Sequence, residues 1–437
     1  MRYALAFLLG TACLAQPPLT IQQATDQALA KYPSVRVSQE QVSAAAAAID
    51  LARTAYLPRV DTLGQVNRAT RNNVFGLLLP QSILPSISGP VLGTNNLNSV
   101  WGTAVGALVS WEPFDFGLRS ASVAAAEASK KRAEAAVGRT RFELQALAAD
   151  AFLTVLAAQQ TVKAAQAGVE RSRVLLQVVE ALVKSELRPG ADSSRSRAEL
   201  AFARTQVIQA EQAVDVAKAT LAQLLDTTPA ALALEPGPML ELPKEEPPPA
   251  NIARHPLAIE QSAAIDEVKA REKTLNRTYF PKFNVQGAGY ARGSGNVGPN
   301  IQNWALGFTA TFPIFDFASI RAKKDAEAHR EKSEEARYQQ VLLDLNGQAM
   351  RAQAALNGAK RVAENTPVQL DAARQAEQQA TARYKAGLSS VIDVAEAQRL
   401  VTQAEIDDSL AKLTVWRALL AQAIAQGDLQ PFLEKTK

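Results

Sequence analysis

Two stretches of the chain, 99–111 and 302–312, alternate between bulky apolar residues at one parity and small or polar residues at the other. Because successive side chains of a β-strand point to opposite faces, this period of two predicts strands with one apolar face and one wet face. Segments 59–68 and 282–292 alternate less clearly and are the predicted partner strands. Aromatic residues end the apolar faces, as expected at the two interfaces of a membrane: Trp101, Trp111, Trp304 and Phe312.

Four strands are too few to close a membrane barrel, for which about eight is the minimum. An open sheet edge cannot face lipid, because its backbone N–H and C=O groups would stay unpaired. We therefore expect several subunits to pool their strands. Three chains with twelve strands is the simplest closure, and two chains with eight is the alternative. The alternation by itself is also compatible with an ordinary soluble sheet.

Outside these stretches, apolar residues recur at helical spacing among alanines and charges. Two segments are especially long: 117–187 contains no proline, and 318–385 contains only Pro367. Helices of about 70 residues would reach on the order of 100 Å, and small residues would let them pack closely as coiled coils. Each is predicted to end at a short glycine turn, at Gly190 or Gly387, from which a second helix returns. Shorter helices are predicted at 21–30, 35–56 and 257–278.

The second half of the chain repeats the first at three ordered anchors, which predicts a tandem structural repeat. The anchors are a proline followed by another 25 residues later, a Phe-Asp-Phe triplet, and a glycine eight residues before Ala-Glu. They begin at Pro33, Phe114 and Gly190 in the first half and at Pro256, Phe315 and Gly387 in the second. The first copy carries about 22 additional residues around 72–98, which predicts a longer hairpin loop there.

The N-terminus has the features of an export signal: a positive charge at Arg2, a short apolar run, and small residues before Gln16. We predict cleavage after Ala15, with lipidation of Cys13 as the alternative. Cys13 is the only cysteine, so no disulfide is expected in the exported body.

The anchors and the proline-rich segment between the copies divide the chain into five parts. No helix or strand is expected in the linker, because its prolines interrupt both. The parts are a signal peptide (1–15), a first repeat (16–226, with a strand hairpin at about 58–113 and a helical hairpin at 117–226), a linker (227–250), a second repeat (251–427, with a strand hairpin at about 281–313 and a helical hairpin at 317–426) and a C-terminal tail (428–437).

Composition narrows the possible functions. With 47 % hydrophobic but only 6 % aromatic residues, the chain suits long, closely packed helices better than a large aromatic core. The net charge of +4 arises from intermixed basic and acidic residues, so nucleic-acid binding is not predicted. His255 and His329 have no third histidine or cysteine near them, and no Walker sequence occurs. We therefore predict no metal site, no cofactor and no enzymatic activity.

Two groups of residues resemble those of a known family. Phe-Asp-Phe stands at both strand-to-helix junctions, and Tyr384-x-x-Gly387 is followed six residues later by Asp393-Val394. In this order within a tandem repeat, they resemble the TolC-like outer-membrane efflux protein family, over nearly the whole chain after the signal. The resemblance implies a mainly α-helical fold with a transmembrane β-barrel. In it, a homotrimer with four strands per protomer forms a twelve-stranded barrel, continuous with a long coiled-coil helical tunnel in the periplasm.

The same resemblance implies a function and partners. It predicts a passive exit duct in the outer membrane of a Gram-negative-type bacterium, within a tripartite efflux or type I secretion-like system. The implied partners are a periplasmic adaptor (membrane fusion) protein, an inner-membrane pump of the RND, ABC or MFS class, and outer-membrane lipid. The alternative is a soluble periplasmic coiled-coil scaffold or adaptor, in which the alternating segments pack as ordinary sheets.

The resemblance also implies roles at the periplasmic tips of the helical hairpins. Asp393 and Glu396 match acidic positions that line the closed aperture, and a solvated helix face is the alternative for both. Tyr384 matches the aromatic residue that holds the tip closed, Gly387 lies in its turn, and Ser389 stands where some relatives have a gating arginine. The expected contacts with the adaptor are Leu187, Arg188, Pro189, Gly190, Ala386, Gly387 and Leu388.

Overall fold

The structure is a computed structural model that describes residues 18–70, 98–243, 252–294, 298–314 and 316–436. The predicted signal peptide with Cys13, most of the predicted loop at 72–98, the linker segment 244–250 and Phe315 lie outside the described residues.

Eight α-helices and four β-strands are present in the described ranges. The helices are α1 (Ile21–Lys31), α2 (Pro33–Thr54), α3 (Leu118–Lys184), α4 (Gly190–Leu225), α5 (Pro256–Arg277), α6 (Phe317–Lys385), α7 (Val391–Gln426) and α8 (Gln430–Lys435). The strands are β1 (Arg59–Thr70), β2 (Ser99–Phe114), β3 (Lys282–Ser294) and β4 (Ile301–Thr311). The two long helices, α3 and α6, contain 67 and 69 residues, and each is followed by a helix of 36 residues.

These elements form two compact units. We call them the helical unit (Met1–Ser38, Ala136–Ile259 and Gln339–Lys437) and the sheet unit (Gln39–Ala135 and Glu260–Tyr338). Each unit takes segments from both halves of the chain. Neither half therefore forms a compact unit by itself.

In the sheet unit, the four strands form one antiparallel sheet in the order β1-β2-β3-β4. One face contains the buried Leu108, Ala288 and Tyr290 together with the buried polar Gln286. The opposite face is exposed and apolar, and it includes Val60, Val105, Val109, Trp111, Trp304, Leu306 and Phe308. The predicted alternation and the predicted partner strands are thus confirmed. The four end aromatics, Trp101, Trp111, Trp304 and Phe312, are all exposed, and their place at membrane interfaces stays a prediction.

Asp115 fixes the junction between β2 and α3. Its carboxylate accepts hydrogen bonds from the backbone N–H of Gly117 (3.1 Å) and of Arg119 (2.6 Å), and from Arg119 Nε (2.9 Å). It therefore satisfies donors that the first turn of a helix leaves free. The turn requires positive φ at Phe116 (51°) and Gly117 (87°). In the second half, Ile320 follows Asp316 by four residues, so the same ion pair cannot form there.

The core of the helical unit is one cluster of buried residues from several helices, including α1, α3, α4, α6, α7 and α8. Fully buried residues of α3, such as Phe152 and Leu156, share one cluster with Trp416 of α7. Small residues allow close approach, since a Cβ at Gly168 would lie 2.8 Å from Thr402 Oγ1. Among the described residues, no helix combines the length and apolar character needed to cross a bilayer.

The linker is more ordered than the sequence predicts, and the C-terminal tail contains a short helix. The described part of the linker contains two 3-10 turns, Pro229–Ala231 and Gly237–Leu240, so the expectation that it holds no regular element is wrong. Proline fits at the start of a helical turn, where its missing N–H would be unpaired in any case. The tail includes α8, whose buried Phe432 contacts Trp416 edge-to-face at 6.2 Å.

Strand β2 has no room for a side chain at Gly106, which pairs with Tyr290 of β3. A Cβ at this position would lie 2.5 Å from Tyr290 Cβ and 2.7 Å from the carbonyl oxygen of Gly289. A Cβ built on Gly289 itself would have no atom within 4 Å. Of these two positions, only Gly106 lacks room for a side chain.

We expect Gly106→Ala to destabilise the sheet unit by about 1–3 kcal/mol, the usual cost of forcing extra volume into a packed site. The matched control is Gly289→Ala, a glycine of the neighbouring strand, whose effect should stay within about 0.5 kcal/mol. Thermal unfolding of both purified variants, followed by circular dichroism, measures the difference. Equal midpoints would contradict the close approach of the two strands.

Candidate functional site at the hairpin tips

The two helical hairpins end in turns with the same backbone hydrogen bond. The N–H of Leu187 donates to the carbonyl of Leu182 (3.0 Å), and that of Leu388 donates to the carbonyl of Arg383 (2.9 Å). In each turn the preceding residue is left-handed, Glu186 with φ 60° and Gly387 with φ 81°. This geometry is a common way to end a helix. It leaves a leucine exposed at each tip, Leu187 and Leu388.

The predicted role of Gly190 as the turn glycine of the first hairpin is wrong. Gly190 is the first residue of α4, and Glu186 takes the left-handed conformation instead. Helices α4 and α7 begin 201 residues apart, at Gly190 and Val391, and their left-handed C-caps, Asp226 and Gly427, are also 201 apart. Gly190 and Gly387 are 197 residues apart, so the two glycines do not occupy equivalent positions in the hairpins.

The spacing of 201 relates other residues of the two tips. Arg188 corresponds to Ser389, and Asp192 corresponds to Asp393. Asp192 was not identified from the sequence, although this spacing could have found it.

Tyr384 is the buried centre of the tips. Its side chain is 1 % exposed and packs with Leu175 and Val179 of α3 and with two valines of α7. Its hydroxyl donates to Asp192 Oδ2 on α4 at 3.2 Å. A residue at the end of α6 is thus held by the first hairpin.

Arg188 reaches from the first turn to the second. Its guanidinium carbon lies 4.5 Å from the ring centroid of Tyr384, within the range of a cation–π contact. Its Nη2 donates to the carbonyl oxygens of Tyr384 (2.6 Å) and Ser389 (3.4 Å). A cation is favourable there because the last carbonyls of a helix carry partial negative charge. We call Arg188, Tyr384 and Asp192 the tip tie.

Asp393 and Glu396 lie one turn apart near the start of α7, and both are exposed. Asp393 also caps its own helix, because its Oδ2 accepts from the N–H of Ser390 at 3.0 Å. Glu396 borders a groove of about 600 Å³ that is also lined by residues of α4. Arg399 closes one side of that groove through a bidentate ion pair with Glu199 at 2.7–3.0 Å. The aperture role of the two acids stays a prediction.

Among the described residues, no group of three or more His, Cys, Asp or Glu side chains is arranged to hold a metal ion. The tips therefore offer hydrogen bonds, charges and exposed leucines. Such groups suit contact with a partner and control of a passage.

We predict that Tyr384 ionises at higher pH than an exposed tyrosine. Burial raises its pKa above the usual 10.0, and the charge of Asp192 and the bond to it raise the pKa further, against the opposing effect of Arg188. Because the pKa of Tyr384 is higher in the folded state, its protonated hydroxyl adds to the free energy of unfolding. This contribution is present below pH about 10 and is lost as pH rises through the folded pKa.

The difference in tyrosinate absorbance between wild type and Tyr384→Phe isolates this group among the 7 tyrosines. Tyr338→Phe, which removes a tyrosine of α6 away from the tips, is the control. A difference titration for Tyr384 centred at or below pH 10 would reject the buried, tied arrangement.

Comparison with known proteins agrees with this architecture. The sequence profile of the outer membrane efflux protein family matches residues 24–227 and 252–425. Protein CyaE of Bordetella pertussis is 26 % identical over 389 residues, covering 87 % of this chain and 78 % of CyaE. The pyoverdine export outer membrane protein OpmQ of Pseudomonas aeruginosa is 25 % identical over 318 residues, covering 71 % of this chain and 67 % of OpmQ.

The fold is similar to that of solved outer membrane channels. The CmeC outer membrane channel of Campylobacter jejuni superposes with a TM-score of 0.76 at 15 % identity, covering 95 % of this chain and 89 % of CmeC. The resemblance drawn from the sequence motifs is thereby confirmed. The profile match spans most of the chain, and the protein belongs to the outer membrane efflux protein family.

Proposed function

We propose that this outer-membrane efflux protein is the exit duct of a tripartite efflux or type I secretion-like system. In this proposal three copies assemble into a twelve-stranded barrel and a helical tunnel, through which substrates pass without energy from this protein. The observation that carries the proposal is a four-stranded sheet with an exposed apolar face and with β1 and β4 at its edges.

The edge strands favour assembly over a single chain. Both β1 and β4 have one strand neighbour within the described sheet, so each leaves a row of backbone groups for another partner. In lipid these groups require a strand, because no water is available to bond them. Pairing β4 of one chain with β1 of the next closes the ring when enough strands are present. Three chains reach twelve strands, while two would reach only eight, about the minimum for a membrane barrel.

The tips support a gate at the periplasmic end. The tip tie holds the two turns of one chain together, while Asp393 and Glu396 remain exposed. Around a threefold axis, each acid would form a ring of three carboxylates at the narrowest point. Such rings attract cations and repel anions.

The exposed tip leucines favour docking of a periplasmic adaptor. Leu187 and Leu388 occupy corresponding places in the two turns, so one adaptor hairpin could meet both in the same way.

We further propose an inner-membrane pump of the RND, ABC or MFS class as the source of energy. The relative OpmQ is named as a pyoverdine export protein. A comparable exported small molecule is one cargo class for this chain.

The alternative, a soluble periplasmic scaffold, is less compatible with the sheet. Trp304, Leu306 and Phe308 lie on one strand and are 83 %, 72 % and 66 % exposed. In a soluble scaffold, these apolar side chains would contact water. Exposed apolar patches of this kind usually mark a contact surface.

We expect wild-type protein to fractionate with outer membrane as a detergent-stable trimer and Leu306→Arg to lose both properties. Arginine on the lipid face of a barrel costs about 2–4 kcal/mol near the bilayer midplane. The control is Leu388→Arg, because Leu388 is 71 % exposed but lies at a hairpin tip. Fractionation and mass measurement in detergent provide the readout. A monomeric wild type released by osmotic shock would reject the duct.

Neutralising both acids with Asp393→Asn and Glu396→Gln should lower the cation selectivity of single channels in planar bilayers. Removing carboxylate rings weakens the local attraction for cations. The control removes the same charge from an exposed pair on α4, through Glu211→Gln and Asp215→Asn, and should leave selectivity nearly unchanged. Unaltered selectivity and conductance in the first variant would show that the acids do not line the aperture.

A further inference from the structure

A row of five phenylalanine rings runs from the exposed apolar face of the sheet to the strand-to-helix junctions of the sheet unit. Neighbouring ring centroids in the row lie between 4.6 and 6.4 Å apart, within the range of favourable aromatic contacts. In spatial order, this aromatic row consists of Phe308, Phe283, Phe114, Phe116 and Phe280. Because Phe308 shares its strand face with Trp304 and Leu306, the row continues the apolar surface of the sheet.

The turn after β2 brings Phe116 into the aromatic row. Phe116 has a positive φ of 51° in the turn that Asp115 fixes, and its ring stacks on that of Phe280 at 5.3 Å. The same ring meets Phe114 edge-to-face at 4.6 Å. Phe114, Phe280 and Phe308 nevertheless remain exposed. Their outer surfaces are therefore not covered by the described part of the chain.

Arg277, the last residue of α5, stands at one end of the aromatic row. Its guanidinium carbon lies 6.0 Å from the ring centroid of Phe280. Its Nε lies 4.0 Å from the point that a Cβ on Gly117 would occupy, so the guanidinium is also next to the turn after β2. Arg277 is exposed, and no carboxylate among the described residues forms an ion pair with it. The row thus ends at a positive charge that this part of the chain does not neutralise.

The first half of the chain has a different arrangement at the corresponding helix end. Helices α2 and α5 both contain 22 residues and begin 223 residues apart, so Arg277 corresponds to Thr54. The neighbouring Arg53 is exposed as well, but it faces Asp50 and Glu127 at 3.6 and 3.7 Å. An arginine next to aromatic rings and without an acidic partner is therefore a feature of the second half.

The charge and the position of this surface match a phospholipid. At a membrane interface, an arginine reaches the polar headgroups while neighbouring aromatic rings stay beside the acyl chains. The planar guanidinium forms two parallel hydrogen bonds with phosphate oxygens. An anionic headgroup suits an unneutralised cation better than a zwitterionic headgroup, which carries its own ammonium group.

We propose that Arg277 and the aromatic row form a binding site for one anionic phospholipid. Its phosphate binds the guanidinium of Arg277, and one acyl chain lies along the exposed rings of Phe280, Phe114 and Phe308. This inference rests on the proposed duct, because it requires the apolar sheet face to lie in lipid. The duct does not require the site, since a barrel inserts without a preferred headgroup.

The test is native mass spectrometry of the purified full-length protein in a neutral detergent that contains equal amounts of dioleoylphosphatidylglycerol and dioleoylphosphatidylcholine. These lipids have the same acyl chains, so their ratio on the protein reports the headgroup alone. We expect wild type to retain the anionic lipid in about fivefold excess, the preference expected of one basic residue. Arg277→Gln should abolish the excess. Phe280→Leu, which removes one ring of the row, should lower the retention of both lipids.

The matched control is Arg53→Gln, which removes an exposed arginine near the corresponding helix end and should keep the excess. An equal loss in Arg53→Gln and Arg277→Gln would show a general effect of charge and overturn the site. Equal retention of the two lipids by wild type would also overturn it, as would unchanged lipid retention in Phe280→Leu.

The same spectra separate failure of the site from failure of the duct, because they report the assembly state. Trimers without a headgroup preference would overturn the lipid site and leave the duct intact. A monomer that retains neither lipid would overturn both. Circular dichroism shows whether each variant is folded. Should Arg277→Gln fail to fold, the lipid ratio of wild type and the result for Phe280→Leu decide.

Discussion

An open sheet with an apolar outer face is the constraint on which the rest of this protein depends. Its four strands pair with one another, but β1 and β4 remain as edges, and lipid cannot satisfy their backbone groups. The same sheet exposes Trp304 and Leu306, so water is no better an environment for it. Only further strands in lipid meet both demands. Pairing of the edge strands with strands of other copies, as in the proposed trimer, would satisfy these backbone groups.

The helical unit solves a different problem, which is how to hold two long hairpins of one chain in register. The returning helices α4 and α7 begin 201 residues apart, and their C-caps are also 201 residues apart. Polar bonds then join the hairpins at several heights, from Arg171–Glu405 to Arg399–Glu199 and the tip tie. Each bond joins parts of a single chain. The exposed Asp393 and Glu396 of α7 take no part in these bonds between the hairpins.

Periodic features were predictable from the sequence, and pairwise contacts were not. The strand alternation ending at Trp111 and the proline-free run of α3 follow from local patterns, and both elements are present. The turn at Glu186 was missed because a left-handed glutamate has no sequence signal and is held by its surroundings. Tyr384 was identified by its motif, but its partner Asp192 lies 192 residues away in the chain. The spacing of 201 relates Asp192 to Asp393, but it does not predict that Asp192 bonds to Tyr384.

The serine at 389 has a physical explanation once Arg188 is considered. The carbonyl oxygens of Tyr384 and Ser389 both accept from one guanidinium, which comes from the corresponding position of the other hairpin. A second arginine at 389 would bring another cation close to Arg188, and like charges at such distances repel. The charge of Arg188 therefore disfavours a second arginine at 389. In this chain the arginine stands on the first hairpin, and its hydrogen bonds to the second turn join two parts of one chain.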